Sequence, residues 1–500
     1  MLLRTPTWPQ NGLRVEHPEL LDWLSTADFT RPQNIASASR AIDTGEWFVG
    51  SSEYRFWRDK GAGFMWLFGP AGCGKSVLCS RIISDLENLC KSEQKPKLGY
   101  WYFQFNNPAT QEISTMLRSL IRQLGTSPLP PESQHGMSPL SSEIRRLGSH
   151  HMPRGSQPEI QETISTLDGI LRDNPQKVFI VLDALDECPG GHSTSERAKV
   201  LEYLQRLSCT HHHNLRVLAI SRPGPDIRTV LRDLCSETNS INIGLLMQAD
   251  VKTFIKEAIA RPELKRWGSK VTDQIASKLL SVEENLQIKR LQNCFTLNRI
   301  WAALTTLPPT LEATYHAALE SIDEENREHV RKILQWLAFS FRELTLGEVA
   351  AITSFQFADD LLRVCTSLLV TIIEDDNRQI LRLGHFSVQE FLVLRGESKI
   401  VQWYNFTAHE AHEDLALDSL SYLQGTRDDI RSHSTCDAMS TDSADVIAEE
   451  KESSRSFLQY AARTWPLHFK EAGNPTENSR FWKLIDNILA TDLYDEWLAM

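Results

Sequence analysis

Gly63-Phe64-Met65-Trp66-Leu67-Phe68-Gly69-Pro70-Ala71-Gly72-Cys73-Gly74-Lys75-Ser76, residues 63–76, places three kinds of sequence end to end. The apolar run Phe64 to Phe68 between two glycines has the pattern of a strand buried on both faces, and from Ser76 to Leu89 apolar residues recur at helical spacing. Between them stands a full G-x-x-x-x-G-K-S. Glycines let the backbone wrap a phosphate with its N–H groups, and the helix N-terminus adds positive potential. Lys75 is suited to reach β- and γ-phosphates, and the Ser76 hydroxyl to ligate Mg²⁺. Gly69, Pro70, Ala71, Gly72, Cys73, Gly74, Lys75 and Ser76 are therefore the expected nucleotide-binding set, with Cys73 a chemically quiet member.

Working outward, Leu98 to Phe105, Val178 to Leu182 and Leu215 to Ile220 read as further strands. Ile113, Met116, Leu117, Leu120, Ile121 and Leu124 fall three and four apart, and another helix is expected around Arg197 to Leu207. Strands alternating with helices predict a parallel α/β sheet over residues 63–235, preceded by a helical leader at 1–62. Residues 125–157, rich in Ser, Pro, Gly and His, read as a surface insertion. Beyond 248 the pattern is mostly helical, with a hairpin-like pair at Ser367 to Ile373 and Gln379 to Leu383. Residues 427–456 are polar and are expected to be a flexible linker. No repeat of 20 to 50 residues is visible.

Two further segments carry chemistry. Asp183-Ala184-Leu185-Asp186-Glu187 ends the strand Val178 to Leu182, and a carboxylate at a strand tip beside a phosphate loop suits Mg²⁺, which keeps several waters. Asp183 is the expected metal carboxylate, acting through water. Asp186 or Glu187 would orient a water for attack on the γ-phosphate, or belong to a solvated acidic turn. Ser221-Arg222-Pro223 follows the strand Leu215 to Ile220 at the sheet edge where open α/β sheets bind ligands, so Arg222 is a γ-phosphate sensor or an ordinary ion-pair arginine. Cys209 with His211, His212 and His213 reads as exposed loop, because consecutive histidines point apart.

Composition narrows the partners. A net charge of -12, from 65 acidic against 53 basic residues, gives no electrostatic footprint for nucleic acid or an anionic membrane. Nine cysteines without paired close spacing speak against a disulfide framework and for a reducing compartment, and no window reaches the roughly 18 apolar residues of a membrane span. A cytoplasmic or nuclear chain without nucleic-acid or membrane partners is expected, cytoplasmic first.

Gly69 to Ser76, Asp183 to Glu187 and Ser221-Arg222-Pro223 together resemble the NACHT class of signal-transducing STAND NTPases, and within it the fungal proteins that often carry C-terminal ankyrin repeats. Thr44-Gly45-Glu46-Trp47, Trp101-Tyr102-Phe103-Gln104-Phe105, Leu307-Pro308-Pro309-Thr310, Gln335-Trp336-Leu337-Ala338-Phe339, His385-Phe386-Ser387-Val388-Gln389-Glu390-Phe391-Leu392 and Tyr460 to Leu467 add to the likeness. The resemblance implies an α/β P-loop NTPase core at 63–235 with helices on both faces of a parallel sheet, a helical subdomain at 236–310, a winged-helix domain at 311–400 and C-terminal helices at 401–500. It implies ATP or GTP with Mg²⁺, ADP or GDP in a closed resting state, slow hydrolysis, self-association when NTP-bound and an unknown protein effector, as in NLR-like non-self recognition or programmed cell death. It also implies that His385 touches the β-phosphate of the bound diphosphate. Between Leu280 and Leu304 this chain is short against the family pattern, so a truncated helical subdomain is expected. Neither ankyrin repeats nor an N-terminal effector is recognisable, so a fragment, a stand-alone switch or a non-hydrolysing scaffold stands as the alternative.

Overall fold

The computed structural model describes residues 17–280, 300, 311–353, 370–393, 402–433, 444–473, 482, 485 and 486, less 26, 62, 92–95, 127–139, 191–193, 211, 212, 245, 376, 377 and 385. Two units divide the chain, Met1–Asn285 and Leu286–Met500.

In the first unit, the strand-like segments form one parallel sheet. They are β1 (Gly63–Phe68), β2 (Lys97–Tyr102), β3 (Val178–Asp183), β4 (Leu215–Ser221) and the short β5 (Ser240–Asn242), in the spatial order β2-β3-β4-β1-β5, all parallel, with the apolar runs of β1, β3 and β4 at the centre. Alternation splits each strand between two cores: Phe64, Trp66, Val178, Ile180, Val217 and Ala219 face one cluster, while Met65, Leu67, Phe179, Val181, Leu218 and Ile220 face the other. With both faces covered, the strands read as unbroken hydrophobic segments. Each fully buried Leu or Phe contributes about 1.5–3 kcal/mol over its exposed state.

Helices close both faces. Leu20 and Leu24 of α1 (His17–Leu24) join the first cluster, which α6 (Ile113–Gly125), α8 (Ile160–Asp173), α9 (Glu196–Cys209) and α10 (Pro225–Leu234) also line. Beyond α2 (Thr30–Ala38), Phe48 of α3 (Glu46–Val49), Tyr54 and Trp57 of α4 (Ser52–Asp59) and Leu78, Ile82 and Leu86 of α5 (Lys75–Cys90) build the second. Segments before β1 thus supply side chains to both cores. Arg216, buried within β4, donates from Nε to the Trp57 carbonyl at 3.0 Å and fastens α4 to the sheet. After β5 come α11 (Gln248–Ala260), α12 (Pro262–Lys265) and α13 (Ser269–Leu280). β2 stops at Tyr102, short of the expected Phe105, where Asn106-Asn107-Pro108 turns the chain.

The expectation for residues 125–157 is overturned in part. Residues 125–157 are not merely a surface insertion, because Ser142–His151 forms α7 and buries Ile144, Leu147, Gly148 and His151. The signal is present in Leu140, Ile144, Leu147 and His151, one helix face, and in Ser141, whose hydroxyl accepts from the Ile144 N–H at 3.3 Å as an N-cap. The high Ser, Gly and His content hides it. Residues 127–139 lie outside the description.

The second unit contains α14 (Leu311–Glu320), α15 (Arg327–Phe339), α16 (Leu346–Thr353), α17 (Phe386–Leu392) and an antiparallel sheet of order β6-β8-β7, from Leu344–Thr345, Arg378–Leu383 and Val370–Asp375. The expected hairpin is β7 with β8. α18 (Ala408–His433) and α19 (Ala444–Glu471) pair in part through Ala416, Leu420, Trp465 and Phe469. The linker expected at 427–456 is therefore helical over 427–433 and 444–456. Polarity removes a reason to be buried, but a run such as Ala448-Glu449-Glu450-Lys451-Glu452, without Gly or Pro, keeps high helix propensity.

Ile144 is fully buried, and a Cβ on Gly125 would lie 2.3 Å from its Cδ1. Ile144→Ala should cost about 2–5 kcal/mol in urea unfolding followed by tryptophan fluorescence. A change within about 0.5 kcal/mol would return the segment to the surface.

Candidate functional site

The C-terminal ends of β1, β4 and β3 lie side by side, so the segments that follow them share one sheet edge. Gly69 begins the loop after β1, its N–H reaching the Ser221 carbonyl at the end of β4 at 3.4 Å. Gly72 and Gly74 adopt φ of +72° and +93°, the left-handed region that spares only glycine a penalty, and Gly74 caps α5. Lys75 Nζ folds back over the loop and donates to the Pro70 carbonyl at 2.7 Å and the Gly69 carbonyl at 3.3 Å. The result is a glycine-rich P-loop seated on a helix N-terminus. Cys73 is half-buried, and burial raises its thiol pKa, Lys75 partly opposing. Its thiol is not primed for chemistry.

Asp183, the last residue of β3, is 1% exposed, and neither carboxylate oxygen has a full hydrogen-bond partner. Burial pushes its pKa up to about 6, while the Ser76 hydroxyl and the Lys75 charge pull it back. The Ser76 hydroxyl is thus near enough to favour the charged form as a hydrogen-bond donor, while neither oxygen is satisfied at full hydrogen-bond geometry. An orphaned buried carboxylate beside Ser76 and Lys75 suits a hydrated divalent cation, so the residues present fit Mg²⁺.

After Asp183 the chain reverses. Ala184 takes φ +54° and ψ +41°, an uncommon left-handed conformation for a residue with a Cβ, and starts a 3-10 turn from Leu185 to Glu187. That turn returns Asp186 toward β4, where its two oxygens accept from the Arg222 backbone N–H at 2.9 Å and from Arg222 Nε at 2.6 Å. Asp186 and Arg222, read from sequence as separate agents, are one ion pair. Glu187 accepts from the Phe105 N–H at 3.1 Å. Although Glu187 keeps some accessible surface, desolvation first and the charge of Asp186 second push its carboxyl up to about 8. His385 lies outside the described residues, as do His211 and His212 and residues 281–299, where the shortened helical subdomain was expected.

The structure adds residues that sequence reading passed over. Arg197 of α9 donates to the Asp186 carbonyl at 3.0 Å and to Asp226 at 2.7 Å, bracing the turn. After β5, a Cβ on Gly244 would sit 2.8 Å from Pro70 Cδ, and one on Gly74 would sit 2.8 Å from Met247 Cε. Of these, only Gly244 carries a sequence signal, a glycine required by close approach.

Residues 43–222 match the family described as Nephrocystin 3, N-terminal. An alignment 112 positions long, covering 19% of this chain, is 34% identical to Azaphilone pigments biosynthesis cluster protein L of Monascus ruber and spans 24% of that protein's own length. Solved structures that are similar include the Aeropyrum pernix ORC2 protein in ADPNP-ADP complexes, 14% identical, covering 74% of this chain and 96% of that one at a TM-score of 0.29. Cdc6p from Pyrobaculum aerophilum, also 14% identical, covers 74% and 96% at 0.31. At these scores the structural likenesses carry no conclusion about function. The two sequence matches support the NACHT-type resemblance. Among the described residues no helix is long and apolar enough to cross a membrane.

The raised Glu187 pKa fixes a sign. A carboxyl whose folded pKa of about 8 exceeds its unfolded value, about 4.5, binds a proton more readily when folded, so its contribution is present below pH 4.5 and is lost as pH rises toward 8. Glu187→Gln should stabilise the chain relative to wild type more at pH 8 than at pH 5, by paired urea titrations. A difference independent of pH would place the carboxyl in water.

Proposed function

We propose that this chain, whose first unit carries a NACHT-type P-loop NTPase core, is a nucleotide-operated switch in which an NTP and its diphosphate favour different conformations. The observation that carries the reading is the Asp183 carboxylate, buried without a hydrogen-bond partner at the strand tip beside Lys75 and Ser76. Loop N–H groups and Lys75 bind the phosphates, Lys75 exchanging its carbonyl partners Gly69 and Pro70 for phosphate oxygens. Ser76 and, through water, Asp183 would hold Mg²⁺, which neutralises phosphate charge when bound. Arg222, oriented by both oxygens of Asp186, serves as the phosphate-sensing cation. ATP or GTP is the ligand class, and self-association in the NTP state with a protein effector, NLR-like in kind, is the downstream role.

Turnover is slow in this reading. Asp186 has both oxygens engaged by Arg222, and Glu187 holds a proton near neutral pH, so neither offers a free carboxylate to polarise water. The same observation favours the second reading, a nucleotide-binding scaffold that does not hydrolyse. Phosphate release from wild type, with Lys75→Ala as blank, separates the two.

Lys75→Ala should weaken nucleotide binding by about 1.5–3 kcal/mol, a tenfold to hundredfold loss of affinity in calorimetry. Asp183→Asn should weaken binding only with Mg²⁺ present. Unchanged affinity in Lys75→Ala would overturn the phosphate-loop assignment, and equal loss by Asp183→Asn with and without Mg²⁺ would overturn its metal role.

A further inference from the structure

Outside the P-loop, a second set of ligand atoms converges where α7 ends and α8 begins. His150 Nδ1 lies 3.3 Å from His151 Nε2 and 3.5 Å from Glu162 Oε1, and His151 Nε2 lies 2.6 Å from Glu162 Oε2. One donor atom from each of the three side chains falls within 4.8 Å of the other two. Consecutive histidines on a regular helix point apart, but here the helix is ending: Met152–Arg154 is a 3-10 turn, Gly155 turns at φ +61°, and the chain doubles back to bring Glu162 opposite both rings.

We propose that His150, His151 and Glu162 form a site for a transition-metal cation of the zinc class, which staples the end of α7 to the first turn of α8. Ligand atoms about 2.0–2.1 Å from a tetrahedral ion lie about 3.3 Å apart. The two histidine nitrogens, 3.3 Å apart, and the 3.5 Å between His150 Nδ1 and Glu162 Oε1 already have about that value. The 2.6 Å contact of His151 Nε2, made by the other carboxylate oxygen, Oε2, must open, and Glu162, partly exposed on the first turn of α8, is the residue able to move.

The groups around the three ligands suit the same reading. Ser156 Oγ lies 2.9 Å from His151 Nδ1, and in the tautomer whose Nδ1–H donates to that hydroxyl the Nε2 lone pair is directed at the Glu162 carboxylate. Two lone pairs facing one another need a proton or a cation between them. The His151 side chain is 10% exposed and its ring stacks on Trp23 with centroids 6.4 Å apart, so the buried ligand is held fixed. His150, at 55%, and Glu162, at 37%, leave a path to solvent and an open fourth position for water. Two imidazoles and one carboxylate select the zinc class over Mg²⁺, a hard ion that takes oxygen ligands. The nucleotide's cation and this one therefore do not compete.

The test uses the full chain, stripped with chelator and then titrated with Zn²⁺ by calorimetry and with Co²⁺ by visible absorption, in millimolar Mg²⁺. His150→Ala and Glu162→Gln replace the accessible ligands and spare buried His151; circular dichroism and Mg-nucleotide affinity verify folding. Expected are one Zn²⁺ per wild-type chain, a higher melting temperature with Zn²⁺, tetrahedral Co²⁺ absorption without a thiolate charge-transfer band, and more than about tenfold weaker binding in each variant. Equal Zn²⁺ affinity in wild type and both variants would overturn the proposal. So would Co²⁺ spectra dominated by thiolate, which would put the ion on cysteines, or no binding by wild type; the proton shared between His151 and Glu162 would then be the whole explanation of the cluster.

Discussion

Burying a carboxylate without a partner is among the costlier arrangements a chain can adopt, and the P-loop edge is organised around one at Asp183. The backbone there is satisfied, since the Asp183 carbonyl accepts from the Phe103 N–H at 3.1 Å, so the cost falls on the side chain. Its offsets come from elsewhere: the charge of Lys75, the hydroxyl of Ser76 and the positive end of α5. None of these belongs to β3. The carboxylate is tolerable only once strand, loop and helix are assembled, which ties the chemistry of the edge to completion of the sheet.

Strand order decides how the other charged groups are used. β4 lies between β1 and β3, so Ser221-Arg222 emerges between the phosphate loop and the acidic turn. The left-handed Ala184 costs about 1–2 kcal/mol, and without that reversal Asp186 would not be directed back at Arg222. Fully buried Leu185 and the Glu187 N–H, which donates to the Ala184 carbonyl at 2.8 Å, hold the turn in place. Aligned charge near phosphate is the result. The same arrangement leaves the acids of the turn occupied.

What was legible in the sequence follows from what each pattern reports. Nearly continuous apolar runs gave β1, β3 and β4, because strands buried on both faces favour apolar side chains throughout, and glycine spacing gave the loop, because positive φ is costly for residues with a Cβ. The pairing of Asp186 with Arg222 was hidden, since it depends on a left-handed alanine that no propensity anticipates. α7 was hidden by composition, its apolar face being only Leu140, Ile144, Leu147 and His151 amid Ser, Gly and Arg. α18 and α19 show the converse error, in which polarity stands in for disorder. Charge reports what a segment avoids burying; helix propensity reports its backbone.

The loop is also bracketed by parts of the first unit outside the sheet. Met247, at the start of α11, fills the space a side chain on Gly74 would need, and Gly244 admits Pro70. On the other side, Arg81 of α5 meets Glu46 at 2.6 Å, while the neighbouring Gly45 N–H and Trp47 Nε1 donate to Asp250 of α11 at 3.0 and 2.9 Å. Burial raises the Asp250 pKa, and those two donors lower it, so the carboxylate is poorly hydrated and depends on them. α11, the Thr44–Trp47 turn and α5 thus form a closed circuit through the phosphate loop. A ligand biases a conformation only through contacts that differ between states, and packed interfaces shift between discrete arrangements instead of yielding gradually. Met247 touches the loop itself, and Asp250 ties the same helix to the turn that pairs with α5, so a displacement of Gly74 would be felt by α11 directly and through α5.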